Sequence, residues 1–309
     1  MRYGLLAMDI LKVTGYHKRP PQLVAEEKGF FARAGLEIRF DEATYAPDHN
    51  QGMAEGRWDL TLSSADTMIA RNTTDGTDYI LFMQAEEGLT ATLVGRPGVN
   101  SLEQLRGQLL AGDPGDSNLD LIRMKILRSH GIRESDYKID IIGSSPKRLE
   151  AFLAGRVAAA MLTPPSTEKA LEAGGVALAR ADDYVPGWPL TCGWTRRAWL
   201  EAHRDVVVRF VRSWAAATDW MMEEKNRGEA VRLTMAKEHM DRERAEEACA
   251  RVVAKARINP HAIKSVMELR SEMGVMKPDV GPAEKFYDAG YWCAATGLAP
   301  PEPAGLPRV

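Results

Sequence analysis

The chain writes one junction twice. AEGRWDLTLSSADT, from Ala54 to Thr67, and LAGRVAAAMLTPPST, from Leu153 to Thr167, share four features in the same order. Each has a helix-like lead-in, a Gly-Arg pair, a short apolar run, and a close of small hydroxyl and turn residues. Such a stretch sets the carboxyl end of a strand against a small-residue loop and a helix N-terminus, as a βα unit of an open sheet does. A chain that builds this junction twice is expected to have two sheets. Its length agrees, since 309 residues exceed the roughly 250 at which single cores divide.

Periodicity fills in the rest. ILKVTGY (10–16) alternates as a strand, HKRPP is a basic, proline-rich loop, and QLVAEEKGFFARAG reads as one helix closed by Gly35. LEIRF, WDLTL, YILFMQA and TATLVG read as further strands, with DEATYAPDHN as a loop and residues 50–56 as a short helix. QLLAGD, YKIDIIG and VAAAML supply the strands of the second half, and SPKRLEAFLAGR is a helix with Ser145 as its cap and Pro146 at its first position. The return crossing falls near YVPGWPLTCGWTRRAWL. Beyond His203 the chain turns helical, and Val207, Phe210, Val211, Trp214, Met221 and Met222 form one apolar stripe. The tail APPEPAGLPRV has too little apolar content to fold alone. Strands alternating with helices predict an α/β fold of two lobes, each a mostly parallel sheet flanked by helices. The first lobe takes residues 1–95 and 190–309, with the C-terminal helices, and the second takes 96–189.

Composition removes several classes of function. Net charge is −3 from 40 basic and 43 acidic residues, with no concentrated basic face, which argues against nucleic acid as a partner. Cys192, Cys249 and Cys293 lie far apart with no CxxC pair, so neither a disulfide framework nor a metal site is expected. No segment has the ~18 uncharged apolar residues of a membrane span. Asp9 and Lys12 interrupt the first apolar run, so a signal peptide is not expected. The sequence as it stands reads as cytoplasmic. A removed leader, or a start misassigned relative to Met8, would make it periplasmic.

PPQLVAEEKGFFARAGLEIRF resembles the opening of type II periplasmic substrate-binding proteins, in the branch that serves sulfonates, taurine, nitrate and thiamine precursors. GMAEGRWDLTLSSADT and SLEQLRGQLLAGDPGDSN are similar to the next two signatures of that branch, and the resemblance runs from Ile10 to Ala217. It implies two lobes closing by hinge motion on a small organic ligand, with a ligand cleft between them. It also implies the solute-binding role of an ABC-type uptake system, with the membrane subunits of a transporter as partners, no cofactor and no metal. Residue by residue, it puts Tyr16, His17, Lys18 and Arg19 in the cleft. Ser63, Ser64 and Asp66 join them, with Asp113, Gly115, Asp116, Ser117 and Asn118 opposite, and Thr163, Thr191 and Trp194 completing the lining.

The chemistry of these residues adds to that reading. GDPGDSN before a helix offers backbone N–H groups at a positive helix end, suited to a carboxylate, sulfonate or phosphate. The same residues serve equally as a helix cap. YHKRPP brings donors and a ring on a loop stiffened by proline, which favours an anionic ligand, aromatic or aliphatic. Ser63, Ser64 and Thr163 offer hydroxyls or act as caps, and Trp188 and Trp194 serve as packing or as stacking surfaces. The alternative is a cytoplasmic enzyme on the same fold, a decarboxylase, lyase or hydrolase of a small acid. His17 would be its acid or base, Asp66 would orient it, and Arg19 would hold the carboxylate. His49 could then join His17 and Asp66 as a metal site. Two relatives of that kind are disfavoured: Cys192 stands alone where thiamine-pyrimidine synthases cluster cysteines, and the first loop lacks the cysteine of desulfinases.

Overall fold

The computed structural model describes residues 8–44, 46–113, 116–277 and 279–304. The described residues form two compact units, those of 8–87, 189–264 and 281–304 in one and those of 88–188 and 265–280 in the other. In chain order the first unit begins with β1 (Asp9–Gly15), α1 (Pro20–Glu27), α2 (Phe30–Arg33), β2 (Leu36–Glu42), α3 (Ala46–Glu55), β3 (Leu60–Ser63), α4 (Ala65–Thr74) and β4 (Tyr79–Glu86). The second unit contains β5 (Thr92–Gly95), β6 (Leu109–Gly112), α5 (Asn118–Ser129), β7 (Lys138–Ile141), α6 (Ser145–Leu153), β8 (Ala159–Leu162), α7 (Ser166–Glu172) and β9 (Val176–Arg180). There follow β10 (Thr191–Arg196), α8 (Arg197–Ala202), α9 (Arg204–Met222), α10 (Glu224–Glu238), α11 (Arg242–Ala250), α12 (Pro260–Glu272) and α13 (Gly290–Thr296).

The strand orders are β2-β1-β3-β10-β4 and β7-β6-β8-β5-β9. In each sheet one strand runs against the rest, β10 in the first and β5 in the second. The reversed strand is the one that follows a crossing between units. The doubled junction now has a structural meaning. Its strands, β3 and β8, each stand third in order, parallel to one neighbour and antiparallel to the crossing strand.

Several elements differ from the sequence reading. The single helix expected over 22–35 is two, because Gly29 takes a left-handed conformation at φ 68 that only glycine adopts cheaply. DEATYAPDHN is not all loop, since α3 starts at Ala46 and carries His49. Helix α6 begins at Ser145 with Ser144 as its cap residue, and the Ser145 hydroxyl instead accepts from the Thr163 backbone N–H at 3.0 Å. Residues 88–95 with β5, and residues 265–280, expected in the first lobe, group with the second unit. There Lys125 pairs with Glu272 at 2.6 Å and Arg128 donates to the Glu272 carbonyl at 2.9 Å. The α9 stripe is buried at Val207, Phe210, Val211, Trp214 and Met221, and Phe210 stacks on Phe31 at 5.3 Å. Met222 departs from it and is 49% exposed. The second core gathers Val94, Ala111, Leu149, Phe152, Ala160 and Leu162.

Candidate functional site

In the first unit the carboxyl ends of β1, β3 and β4 lie at one end of the sheet, and most of the expected site residues fall there. Pro20 and Pro21 open α1, so Arg19 is held in an extended conformation as its cap residue. Its guanidinium reaches Glu86, the last residue of β4, at 3.2 Å, with side chains 15% and 3% exposed. The same Glu86 oxygen accepts from the Thr191 hydroxyl at 2.6 Å. Arg19, Glu86 and Thr191 are one buried network. A buried carboxylate needs such partners, because leaving it unpaired costs several kcal/mol, on the order of 3–5.

The remaining residues of this end divide by what they touch. Lys18 is held by Glu26 at 2.6 Å and faces the Phe40 ring. His17 is exposed to solvent, yet surrounding protein and then the Arg19 charge lower its pKa to about 4, so its imidazole is neutral at pH 7. Tyr16 lies half-buried, its ring 5.7 Å from that of His49. Ser63 is buried at the end of β3, and among the described residues its hydroxyl, Arg19 Nε and the Gln84 amide nitrogen have no hydrogen-bond partner. Ser64 caps α4, accepting from the Asp66 N–H at 3.2 Å, and Asp66 is buried in the first turn.

Trp194 is not part of an accessible lining. It is 0% exposed in β10, with its ring 4.9 Å from Tyr79, and is a core residue. Strand alternation explains the difference: Trp194 lies opposite Thr61, on the face that α3 covers through His49. Trp188 is buried as well. His49 is committed to Thr61 Oγ1 at 2.8 Å, and among the described residues no three His, Cys, Asp or Glu side chains form a metal-holding group. Cys192 is buried and its thiol is pushed far up by desolvation.

In the second unit the β6–α5 turn carries Asp113, Asp116, Ser117 and Asn118, whereas Gly115 lies outside the described residues. Ser117 caps α5, accepting from the Asp120 N–H at 3.3 Å. The organising residue is one that the sequence reading missed. Arg148, 1% exposed on α6, donates to the Met161 carbonyl at 2.9 Å and to the Gly143 carbonyl, and pairs with Asp113 at 3.2 Å. It thereby ties together the carboxyl ends of β6, β7 and β8. Burial raises the Asp113 pKa even with Arg148 beside it. Two more buried arginines lie close by, Arg123 bonded to the Asp120 carboxylate in the first turn of α5 at 2.8 Å and Arg270 to the Asp116 carbonyl at 3.2 Å. Thr163 is half-buried just past β8, its N–H bonded to Ser145. The missed signals were a basic residue on the apolar stripe of α6, and Gln84 and Glu86 alternating at the end of an apolar strand.

A family model described as NMT1/THI5 like matches residues 18–227. The chain belongs to that family. No curated protein matches the sequence. Among solved structures, the chain is similar to the ligand-binding component of an ABC-type import system from Staphylococcus aureus, determined with zinc bound. The TM-score there is 0.75 at 14% identity, covering 94% of this chain and 100% of that one. It is also similar to the periplasmic aliphatic sulphonate binding protein SsuA from Escherichia coli, at a TM-score of 0.68 and 15% identity, covering 87% and 94%. The desulfurization enzyme DSZB gives 0.70 at 11% identity, covering 94% and 99%. These likenesses show the fold of type II periplasmic binding proteins. Among the described residues no helix is long and apolar enough to cross a membrane.

Proposed function

We propose that the chain binds a small organic anion, a carboxylate or sulfonate, as the solute-binding component of an ABC-type uptake system, with that system's membrane subunits as partners. In this reading the loops at the carboxyl ends of both sheets close on the ligand by hinge motion. One observation carries it: Arg19 Nε, the Gln84 amide nitrogen and the Ser63 hydroxyl are buried at the carboxyl ends of one sheet without partners among the described residues. The first two can only donate, and each unmade bond costs about 1–3 kcal/mol. A ligand rich in acceptor oxygens meets that demand. The pairing of Arg19 with Glu86 already balances the arginine's positive charge, which disfavours a dianion.

The second reading is an enzyme on this fold, with His17 as general base beside Arg19. The lowered pKa of His17 weighs against it, because a general base works best with a pKa near the working pH. The deciding experiment incubates purified protein with a pool of small aromatic and aliphatic acids and follows the pool by mass spectrometry. The expected result is one compound retained unchanged, near one per chain. Consumption of a compound far beyond one per chain, with a product of altered mass, would overturn the binding reading in favour of the enzyme.

A further inference from the structure

A cavity lies in the first unit, built by the C-terminal helices and lined by none of the residues discussed above as ligand contacts. Its volume is 720 Å³, inside the range of about 300–1,000 Å³ typical of small-molecule sites. The walls are apolar where α9 ends and α10 and α11 face each other, with Met221, Val231 and Val252 among them. Methionine suits such a wall because its thioether adapts to varied shapes.

Gly228 makes the space. It sits inside α10, where glycine costs about 1 kcal/mol relative to alanine. Nothing in the backbone asks for it: Gly228 is not among the residues of positive φ, and an added Cβ would meet only the tip of Arg232 at 3.4 Å. The residue's contribution is the absence of a side chain at the cavity wall. The NMT1/THI5-like match ends at residue 227, so the walls from Gly228 to Val252 lie beyond the segment the family shares.

The lining carries two arginines and two glutamates, Arg227, Arg242, Glu246 and Glu247. Glu246 is paired with Arg242 at 3.2 Å, and Glu247 with Arg251 at 3.3 Å. Arg227 is the remaining ionised group of the lining and has no acidic partner among the described residues. A pocket with an apolar wall, and with one guanidinium that lacks an acidic partner among the described residues, fits an amphipathic monoanion, with the hydrocarbon on Met221, Val231 and Val252 and the carboxylate on Arg227. We propose that this cavity is a second ligand site, separate from the Arg19–Glu86 end of the sheet, and that it takes a medium-chain carboxylate.

The wall of this cavity is also joined to the other site. Val252 forms a bridge with Glu86, the Glu87 N–H donates to the Arg251 carbonyl at 3.1 Å, and the Val253 N–H donates to the Ala85 carbonyl at 3.0 Å. The segment that closes the cavity is therefore hydrogen-bonded to the strand end that holds Arg19.

Equilibrium dialysis of the full chain against labelled decanoate tests the proposal. Wild-type protein should show one saturable site. Arg227→Glu, a change at an exposed position, should weaken it by about tenfold or more, and Gly228→Leu should abolish it while leaving the thermal midpoint unchanged or higher. The paired variant Arg19→Met, Glu86→Gln should still bind, and decyltrimethylammonium should not compete. Absence of a saturable site in the wild type would overturn the proposal, as would undiminished binding by Arg227→Glu. Loss in the Arg19→Met, Glu86→Gln protein alone would assign decanoate to the other site and overturn it too. Because that pair tests the cargo site separately, failure of this proposal leaves the proposed uptake function standing.

Discussion

His49 ties acid stability to one side chain. It is 1% exposed, bonded through Nε2 to Thr61 Oγ1 at 2.8 Å, with the rings of Tyr16, Trp58 and Trp194 around it. Desolvation is the main cause that lowers its pKa from 6.5 to about 4. The unfolded chain therefore binds more protons than the folded chain between those values. A group depressed in this way leaves full stability above its unfolded pKa and loses it as pH falls toward the folded one. At 1.36 kcal/mol per unit the full loss is about 3 kcal/mol, with about 2 kcal/mol gone between pH 7 and pH 5. Urea unfolding at pH 7 and pH 5 should show that loss in the wild type. His49→Gln, which keeps a hydrogen-bonding partner for Thr61 and does not titrate, should lose less across the same interval by about that amount. His17 titrates in the same window, so the difference between the two proteins is the quantity to read. An equal fall in wild type and His49→Gln would refute the argument that burial of this imidazole governs acid stability.

Three further predictions rest on packing and buried charge. Alanine at Gly52 should destabilise the protein by about 1–3 kcal/mol in a denaturant titration, despite alanine's higher helix propensity, because its Cβ would stand 2.3 Å from the Trp58 ring. Alanine at Gly228, where the Cβ meets only an arginine tip, should instead stabilise by about 1 kcal/mol in the same titration. Arg148→Met should cost about 3–5 kcal/mol of unfolding free energy, since Asp113 and two carbonyls lose their buried partner. Adding Asp113→Asn should recover part of that loss, and a double variant no more stable than the single would refute the pairing.

How far the sequence could be read depended on the range of each signal. The doubled junction, the alternation of strands with helices and most helix starts rest on neighbours a few residues apart, and all were legible. Leu60–Ser63 leading to the Ser64 cap, and Ala159–Leu162 leading to α7, stand where the two quoted stretches put them. The left-handed turn at Gly29 was also local, but one glycine inside a helical pattern does not declare its φ. The antiparallel placement of β10 and β5 was not legible, because the residues that pair across it, such as Cys192 with Ser63, are far apart in the chain.

The candidate site divides the same way. Arg19, Ser63 and the β6–α5 turn could be nominated from their place at strand ends, because chain order fixes which residues follow a strand. Whether a nominated group is available was decided by long-range contacts. Arg19 is occupied by Glu86, Trp194 is sealed beneath α3, and Asp113 answers to an arginine on α6. By itself the sequence determined that two α/β sheets would each end in small-residue turns facing helix N-termini, since periodicity and capping act within a few residues. Only the tertiary structure decided which charges meet, because burying an ion requires a partner, and that partner is chosen by proximity in the folded chain and not along it.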